Sequence, residues 1–554
     1  MIGRRTFVAA VGVSLLAHRA LAAARAKGLD VALVNGRFWT GVPGAPMAGA
    51  IGIAGARLGA IGDQQVRSLI TRHTQVIDLA GAFGMPAFTD AHTHFLAGSV
   101  VLGQPDLLNA TSRADFTARI AAAARSRPES WVLGGTWDEQ RMGASLPTRE
   151  WIDAATPDTP VAVPRTDLHS LLLNSVALRL ANITRTTPDP EGGVIVRDEQ
   201  GDPTGILKDN AKSLVERVIP AMSDSDVDDA IRQGTSYALS KGIAQIHNPE
   251  INWEVFHSLR RLRARGETGV RFYAIVPLAD WQKLAAIVAD EGRGDDWVRW
   301  GGVKGLADGS LGSRTAKFYD AYADAPTERG IWVTEPEALQ ERVLAADERK
   351  LQVVVHAIGD RAIDTALDTF AAVERANGIR DRRFRIEHAQ HLRPDSIPRF
   401  ARQKVIASVQ PYHAIDDGRW AVRRIGEARL RGTYAFKSLL ESGARVAFGS
   451  DWPVAPLDPL TGVAAAVLRQ TIDGANPEGW LLDQKVTVEQ SLSAYTSATA
   501  FAGFMEDRTG RLALGHYADL AILDSDLLRV AAGAIAKAKV LHTYVGGRQR
   551  FTST

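Results

Sequence analysis

Several short apolar runs in this sequence end in a polar residue of a type that binds metal or moves protons. The clearest run leads into His92-Thr93-His94. Because residues i and i+2 of a strand point to the same side, both imidazoles can reach one ion. An isolated pair of this kind is more often incidental, on the surface or in the core. Its position directly after an apolar strand favours metal binding.

Four further apolar runs end in the same way, at Lys304, at His356, at Glu387-His388 and at Gly449-Ser450-Asp451. Taken singly, the histidines fit structural roles, the lysine fits a solvated surface, and the aspartate fits a turn or helix cap. In a (β/α)8 barrel, however, the C-terminal ends of the strands converge on one face, where chemistry is done. The combination therefore favours one site built from residues far apart in the sequence.

The elements that must position these residues alternate between short apolar strands and longer helices. Examples are residues 351–355 followed by 360–375, and 445–448 followed by a helix around 460–468. Alternation of this kind predicts an α/β fold with a parallel sheet and helices outside it. Residues 105–230 break the rhythm with Pro-, Asp- and Gly-rich pieces, and we interpret them as an insertion that covers one end of the barrel.

Composition excludes several classes of function. The 554 residues are 45% hydrophobic and 23% charged, as in an ordinary folded enzyme rather than a disordered or collagen-like chain. A net charge of +2 provides no basic excess for a phosphate backbone, so nucleic acid is not an expected partner. The absence of cysteine excludes disulfides, thiolate zinc sites and iron–sulfur clusters. Any metal must be held by histidine, carboxylate or a modified side chain.

The N-terminus has the order of a secretory signal: a basic start (residues 1–5), an apolar stretch (7–17) and a small-residue region (20–26). Arg4-Arg5-Thr6-Phe7 is similar to a twin-arginine signal, whose pathway exports folded proteins. We therefore expect export to a bacterial periplasm, with no membrane anchor in the mature form. The alternative is an amphipathic N-terminal helix of a cytosolic protein.

Seven motifs, specific in combination, lie between residues 86 and 454 of a chain that shows the resemblance over nearly its whole mature length: PAFTDAHTHF (86–95), GTWDEQ (135–140), RTDLHSLLLNS (165–175), VKGLADGSLGSRTA (303–316), VVHAIGDRAID (354–364), RIEHAQ (385–390) and GSDWPV (449–454). With them the sequence resembles the amidohydrolase superfamily and, within it, amidohydrolase family 3, which includes N-substituted formamide deformylase-like enzymes. The resemblance implies a (β/α)8 TIM barrel with a small β-sandwich domain built from both chain termini. We expect a signal at 1–26, the sandwich at 27–84 and 505–554, and the barrel at 85–504 with 105–230 as a substrate-covering insertion.

The resemblance also implies a set of metal ligands: His92, His94, Lys304, His356, His388 and Asp451. Lys304 would be carboxylated by CO2 to a carbamate that bridges two divalent ions, because an ammonium group cannot ligate a cation. With Lys304 unmodified, a mononuclear site of the histidines and Asp451 is the alternative. Zinc is the default ion for such ligands, and Mn, Fe, Co and Ni are compatible with them.

These groups predict a metal-dependent hydrolase that cleaves a non-peptide C–N bond of a small amide, formamide or N-acyl compound with activated water. Asp451 is the expected catalytic residue, which takes the water's proton and delivers it to the leaving amine. Two aspartates are expected to support the site: Asp90 by orienting an imidazole, and Asp308 by supporting Lys304 or the loop after it. We assign no catalytic weight to His247 or His391.

Residues of the insertion are expected to face the substrate, unless they form a salt-bridged network of their own: Trp137, Arg165, Asp167, His169 and Asn174. Trp452 and Tyr412-His413 could line an apolar pocket or simply pack. The same site could hydrolyse esters, lactones or cyclic amides. An exported, non-catalytic small-molecule binding protein is the alternative of another class, and the complete hydrolytic set argues against it. The expected partner is a small-molecule substrate, and the sequence leaves room for a homo-oligomer.

Overall fold

The computed structural model describes residues 28–553 apart from 108, 127–129, 138, 144, 166–169, 191–192, 251 and 313. The signal expected at 1–26 lies outside the described residues. The chain divides into two compact units, one of residues 96–230 and the other of residues up to 95 together with those from 231 onward. No helix within the described ranges is long and apolar enough to cross a membrane.

Eight parallel strands form the central sheet of the larger unit: β1 Phe88–Asp90, β2 Ile243–Pro249, β3 Arg271–Pro277, β4 Val298–Leu306, β5 Gln352–Ala357, β6 Arg385–His388, β7 Ile406–Val409 and β8 Arg445–Phe448. Each strand pairs in parallel with the next. The backbone N–H of Ala91, just after β1, donates to the carbonyl of Phe448 at the end of β8. The first strand thus also meets the last, and the predicted (β/α)8 barrel is confirmed.

The barrel elements form because their sequences match their surroundings. β5 carries three successive valines and is buried along nearly its whole length, as a strand covered on both faces requires. The helix after it, Asp360–Asn377, buries Ile363, Leu367 and Phe370 on one face and ends at Gly378, whose φ is 74°. Glycine is favoured in that conformation because it has no Cβ.

The other helices of the larger unit are mostly short and connect the strands: Asp63–Ser68, Glu254–Ala264, Trp281–Glu291, Pro336–Glu348, Ile397–Gln403, Pro411–Asp417, Ala421–Ile425, Phe436–Glu441, Pro459–Leu468, Val488–Ala494 and Ser497–Ala502. Helices Phe95–Leu102 and Asp224–Ser240 lie where the chain passes between the two units. Short 3-10 turns add to them: Leu278–Asp280, Pro394–Ser396, Glu427–Gly432, Leu482–Gln484 and Ala532–Lys537.

Two further sheets of the larger unit form the expected β-sandwich. One contains strands Arg57–Ile61, Ile51–Ala54, Val31–Val34 and Gln75–Asp78 in that order. The other contains Arg37–Phe38, Phe83–Pro86, Leu520–Leu523, Val540–Val545 and Arg548–Thr552. Phe83–Pro86 pairs antiparallel with Leu520–Leu523, so both ends of the chain contribute to one sheet. Leu33, Ile53, Leu520 and Tyr544 share one buried cluster between the sheets.

The smaller unit has its own sheet, with strands Gly193–Arg197, Pro203–Asp209, Ser170–Leu173, Val161–Pro164 and Val132–Leu133 in that order. Its helices are Arg113–Ser126, Ser175–Leu180 and Ser213–Glu216, with 3-10 turns Glu139–Met142, Arg149–Trp151, Asp153–Ala155 and Asn210–Lys212. Phe116, Trp137 and Val163 are among the residues of its main hydrophobic cluster. The unit therefore has a core of its own.

A buried ion pair joins the barrel to the sandwich. Arg271, at the start of β3, donates from Nε and Nη2 to the two carboxylate oxygens of Asp519 at 2.7 and 3.1 Å. Only 2% of the Arg271 side chain and 7% of the Asp519 side chain are exposed. Removal of one partner from such a pair leaves an uncompensated buried charge.

We expect Asp519→Asn to lower the free energy of unfolding by about 3–5 kcal/mol, because it leaves the buried Arg271 guanidinium without a negative partner. Urea denaturation followed by circular dichroism measures this loss. Asp202→Asn is the matched control, because it breaks the exposed Arg185–Asp202 pair and should leave the midpoint essentially unchanged. Equal midpoints for Asp519→Asn and the control would contradict the assignment.

Candidate metal centre

The six residues that the resemblance assigned to a metal centre lie together at the C-terminal ends of the barrel strands. His92 and His94 follow β1, and Asp451 follows β8, while Lys304, His356 and His388 lie within or at the end of β4, β5 and β6. The ring centroids are 5.5 Å apart for His92 and His94, 4.9 Å for His92 and His388, and 4.5 Å for His356 and His388. Lys304 Nζ lies 3.4 Å from His92 Nε2.

The Asp451 carboxylate lies between imidazoles contributed by different strands. Its Oδ1 is 3.5 Å from His92 Nε2 and 3.3 Å from His94 Nε2. Its Oδ2 is 4.0 Å from His388 Nδ1. The Oδ1 atom is buried, yet it has no hydrogen-bond partner among the described residues. A buried, unpartnered carboxylate oxygen beside imidazole nitrogens is what a cation site requires.

Each of the four histidines has one ring nitrogen next to an acceptor oxygen. The contacts are His92 Nδ1 to Glu387 Oε2 (2.5 Å), His388 Nδ1 to Gln410 Oε1 (2.9 Å), His356 Nε2 to the Gly309 carbonyl (3.0 Å) and His94 Nδ1 to Glu250 Oε2 (3.4 Å). In a neutral ring that nitrogen carries the proton, and the other nitrogen keeps its lone pair. Outer acceptors of this kind orient metal-binding histidines. The donor set fits a divalent cation.

The electrostatics of the centre favour neutral imidazoles at most positions. Burial, together with the charge of Lys304, lowers the pKa of His92 and of His356 to about 4. Burial also holds the pKa of His388 well below its ordinary value. His94 differs: burial acts to lower its pKa, but the carboxylates of Asp451 and Glu250 outweigh that effect and raise it to about 9. A proton on His94 thus occupies the place that a cation would compete for.

Lys304 is buried within this cluster, with 4% of its surface exposed. Burial lowers its pKa from 10.5 to about 8, although Glu387 and Asp451 act in the opposite direction. The Asp451 carboxyl remains ionised, because the surrounding imidazoles outweigh burial and hold its pKa well below the ordinary value. A buried amine with a lowered pKa is less fully protonated near neutrality than an exposed lysine.

Two buried charged residues next to the histidines received no role from sequence reasoning, which named Glu387 only as the end of a strand and did not single out Arg385. Arg385 and Glu387, both 0% exposed, lie two positions apart on β6 and therefore on the same face. Arg385 Nε donates to Glu387 Oε1 at 2.8 Å, and its Nη2 donates to the Ala91 carbonyl at 2.6 Å. Burial would raise the pKa of Glu387, but Arg385 and His92 outweigh it and lower it. The signal was present in the sequence, since two opposite charges in a buried strand require a partner.

Two ligand candidates have an unusual backbone. The φ angles are 73° at His388 and 63° at Asp451, in the left-handed region that residues other than glycine rarely adopt. In a regular strand, His388 would point away from the face used by Glu387. The left-handed turn instead lets both side chains reach the same cluster. Such conformations cost about 1–3 kcal/mol each and occur preferentially at functional sites.

The two expected supporting aspartates both accept hydrogen bonds from backbone N–H groups, and Asp308 Oδ1 also lies 3.6 Å from His356 Nε2. Asp90 accepts hydrogen bonds from the N–H groups of His92 and Ser450, so it ties the end of β1 to the end of β8. A Cβ on Gly449 would lie 2.6 Å from the His92 nitrogen, so this junction requires glycine. Asp308 accepts from the N–H groups of Lys317, Ile358 and Gly359, and thereby fixes the loop after β4.

The insertion residues expected to face a substrate have local partners within the smaller unit. Trp137 is fully buried and donates from Nε1 to the Val163 carbonyl. Asn174 caps helix Ser175–Leu180 through the Ala177 N–H and donates to the Thr159 carbonyl. Arg165 forms two 2.8 Å hydrogen bonds with Glu139. Asp167 and His169 lie outside the described residues.

Other residues considered from the sequence lie outside the cluster. His247 contacts Arg385 and Gln245, below the histidines. His391 contacts Thr433 Oγ1 at 3.0 Å and packs beside Phe318 and Tyr434. Trp452 packs against Tyr237 and Phe95.

Comparison with known proteins identifies the family. A family model described as "Amidohydrolase family" matches residues 75–551. The chain belongs to this amidohydrolase family. As a member it is a metal-dependent hydrolase, and the family implies a divalent metal.

Individual relatives cover nearly the whole amidohydrolase chain. Protein LONG AFTER FAR-RED 3 of Arabidopsis thaliana is 35% identical over 94% of this chain and 91% of its own length. The N-substituted formamide deformylase of Arthrobacter pascens is 26% identical over 95% and 99%. The crystal structure of an uncharacterized metal-dependent hydrolase from Pyrococcus furiosus is 30% identical, with a TM-score of 0.75, and covers 90% of this chain and 100% of that one.

The Glu387 contact generates a test of the centre. We expect Glu387→Gln to weaken zinc binding about 10- to 100-fold, because the charged acceptor that orients His92 is lost. Competition of the apoenzyme with a chromophoric chelator measures the affinity. Glu341→Gln, on the exposed face of helix Pro336–Glu348, is the matched control and should bind zinc like wild type. Unchanged affinity in Glu387→Gln would remove Glu387 from the centre.

Proposed function

We propose that this amidohydrolase cleaves the C–N bond of small N-formyl or N-acyl amides. The proposal is carried by the buried Asp451 carboxylate, whose Oδ1 is unpartnered within the described structure and lies beside two imidazole nitrogens. A general base in hydrolysis must be ionised and must lie where the water and the leaving nitrogen both come within reach. The low pKa of Asp451 provides the first condition, and its position at the barrel mouth is consistent with the second.

Six side chains would hold the cation: His92, His94, Lys304, His356, His388 and Asp451. A bound divalent metal would polarise the substrate carbonyl and lower the pKa of water from about 15.7 to about 7. Asp451 accepts one proton from the attacking water, whose oxygen bonds to the carbonyl carbon. The same carboxyl then gives that proton to the nitrogen as the C–N bond breaks, and a carboxylic acid and an amine are released.

We further propose that Lys304 is carboxylated and that zinc is the resident ion. The neutral amine condenses with CO2 to a carbamate and releases one proton. The modified side chain is then an anion with two oxygens that can bind metal, whereas the unmodified lysine is a cation when protonated. The lowered pKa of Lys304, about 8, supports this step because it raises the neutral fraction. Imidazole and carboxylate ligands suit zinc, and the other first-row ions compete by availability.

Similarity to the formamide deformylase supports formamides as the first substrates to test. That relative acts on N-substituted formamides according to its name, and it is aligned over nearly its full length. Water activated by the same carboxylate would also attack esters, lactones and cyclic amides, so these compounds belong in the same screen.

The export signal expected at residues 1–26 is proposed to place the enzyme in a bacterial periplasm.

Apoenzyme prepared with a chelator should be inactive and should regain hydrolysis of N-formyl or N-acyl amines with zinc and bicarbonate. The measurement is product amine release, with zinc- and manganese-loaded samples run against an ester and lactone panel. Zinc added to CO2-depleted enzyme should restore less activity than zinc with bicarbonate. Purified protein that lacks metal and gains no activity from it would instead favour a binding protein.

We expect Asp451→Asn to keep the fold and to lose about 10²–10⁴-fold in kcat/KM, because the amide cannot carry the proton. Circular dichroism checks the fold, and amine release measures turnover. Asp395→Asn, an exposed position in the turn Pro394–Ser396, is the control and should keep full activity. Near-normal turnover in Asp451→Asn would refute the assigned role.

A further inference from the structure

One histidine near Asp451 stands outside the six-residue set. His413 lies on helix Pro411–Asp417, which begins just after β7 at the same end of the barrel. Its Nε2 is 3.8 Å from Asp451 Oδ2, and its ring is nearly parallel to that of His388, with centroids 6.3 Å apart. Only 9% of His413 is exposed, so the side chain belongs to the interior of the site.

The other ring nitrogen of His413 lies next to a side-chain amide. Gln390 Nε2 lies 3.4 Å from His413 Nδ1. With the amide nitrogen on this side, Nδ1 accepts, and a neutral ring then carries its proton on Nε2. Gln390 is itself 5% exposed, and its backbone carbonyl accepts a hydrogen bond from the Tyr434 N–H at 2.7 Å. The backbone that carries the Gln390 amide is therefore held in place.

The Nε2–H of His413 lacks an acceptor. The nitrogen is buried and has no hydrogen-bond partner in the part of the chain that the structure describes. The 3.8 Å separation from Asp451 is too long for a hydrogen bond. A buried donor left without an acceptor is costly, which indicates that a ligand oxygen satisfies it.

We propose that His413 donates a hydrogen bond from Nε2 to the carbonyl oxygen of the substrate and to the negative charge that develops there. This inference rests on the proposed hydrolysis, because that charge appears only when water adds to the carbonyl. Asp451 receives the water's proton, while His413 stabilises the oxygen of the same carbonyl group. A fixed donor of this kind contributes about 10²–10³-fold to kcat in acyl-transfer enzymes.

The competing role for His413 is that of a metal ligand. One ligand atom each from His388, His413 and Asp451 lies within 4.8 Å of the other two. We favour the donor role because the other six side chains already provide a ligand set. The two roles require opposite tautomers, since a cation would take the Nε2 lone pair whereas a donor carries its proton there. Metal content separates the two roles.

His413→Leu should lower kcat about 10²–10³-fold, with KM little changed and zinc per chain equal to wild type. Inhibition by methylphosphonate, a tetrahedral anion, should weaken about 10- to 100-fold, whereas inhibition by planar acetate should weaken less. His413→Gln restores an N–H donor and should recover at least part of the loss. It also keeps the test valid if the leucine variant fails to fold. His73→Leu, at an exposed histidine, is the control and should behave like wild type.

Loss of zinc from both His413 variants, with activity restored by excess zinc, would overturn the donor role in favour of a ligand. Activity within threefold (about 0.7 kcal/mol) of wild type in both variants would also overturn it. If wild type hydrolyses esters but no amides, the proposed function fails while this inference does not, because ester hydrolysis develops the same charge. The variants are then compared on the ester.

Discussion

Charged side chains inside this barrel must be paired, and that requirement organises the catalytic end. An unpaired buried ion costs several kcal/mol even after the protein relaxes around it. Glu387 meets the requirement through Arg385 and His92. Asp451 meets it only through imidazoles: its Oδ1 has no hydrogen-bond partner within the described residues, and the nearest positive charge is the proton on His94, 3.3 Å away. A divalent cation would replace that proton as the positive charge beside Asp451, so the centre and the fold depend on one electrostatic balance.

The barrel brings these charged and imidazole side chains together because the C-terminal ends of its strands lie at one face. Asp90 and Gly449 close the junction between β1 and β8, which brings the His92–His94 pair against Asp451. Gln410 and Gly309 hold the outer nitrogens of His388 and His356. The lone pairs that remain therefore belong to rings whose orientation is already set, and little ordering is left for the moment of metal binding.

The sequence predicted the barrel and the family because both leave local traces. Strand-to-helix alternation is visible in short windows, and an H-x-H pair, weak by itself, gains weight from its place directly after an apolar strand. Contacts between distant segments leave no such trace. The sequence does not reveal that Asp90 binds backbone N–H groups rather than a ring, or that His413, after β7, lies 3.8 Å from Asp451, after β8. Arg385 and Glu387 were detectable as buried charges, but their partner His92 lies 295 positions from Glu387.

Anomalous X-ray diffraction at the zinc edge, from crystals of the purified enzyme, shows directly whether the buried Asp451 carboxylate and the histidines hold a metal ion. We expect an anomalous peak about 2.0–2.2 Å from ring nitrogens of His92 and His94 and from a carboxylate oxygen of Asp451. Density extending from Lys304 Nζ would accompany a second ion near His356 and His388. An active enzyme whose only anomalous peaks lie away from these residues would contradict this expectation.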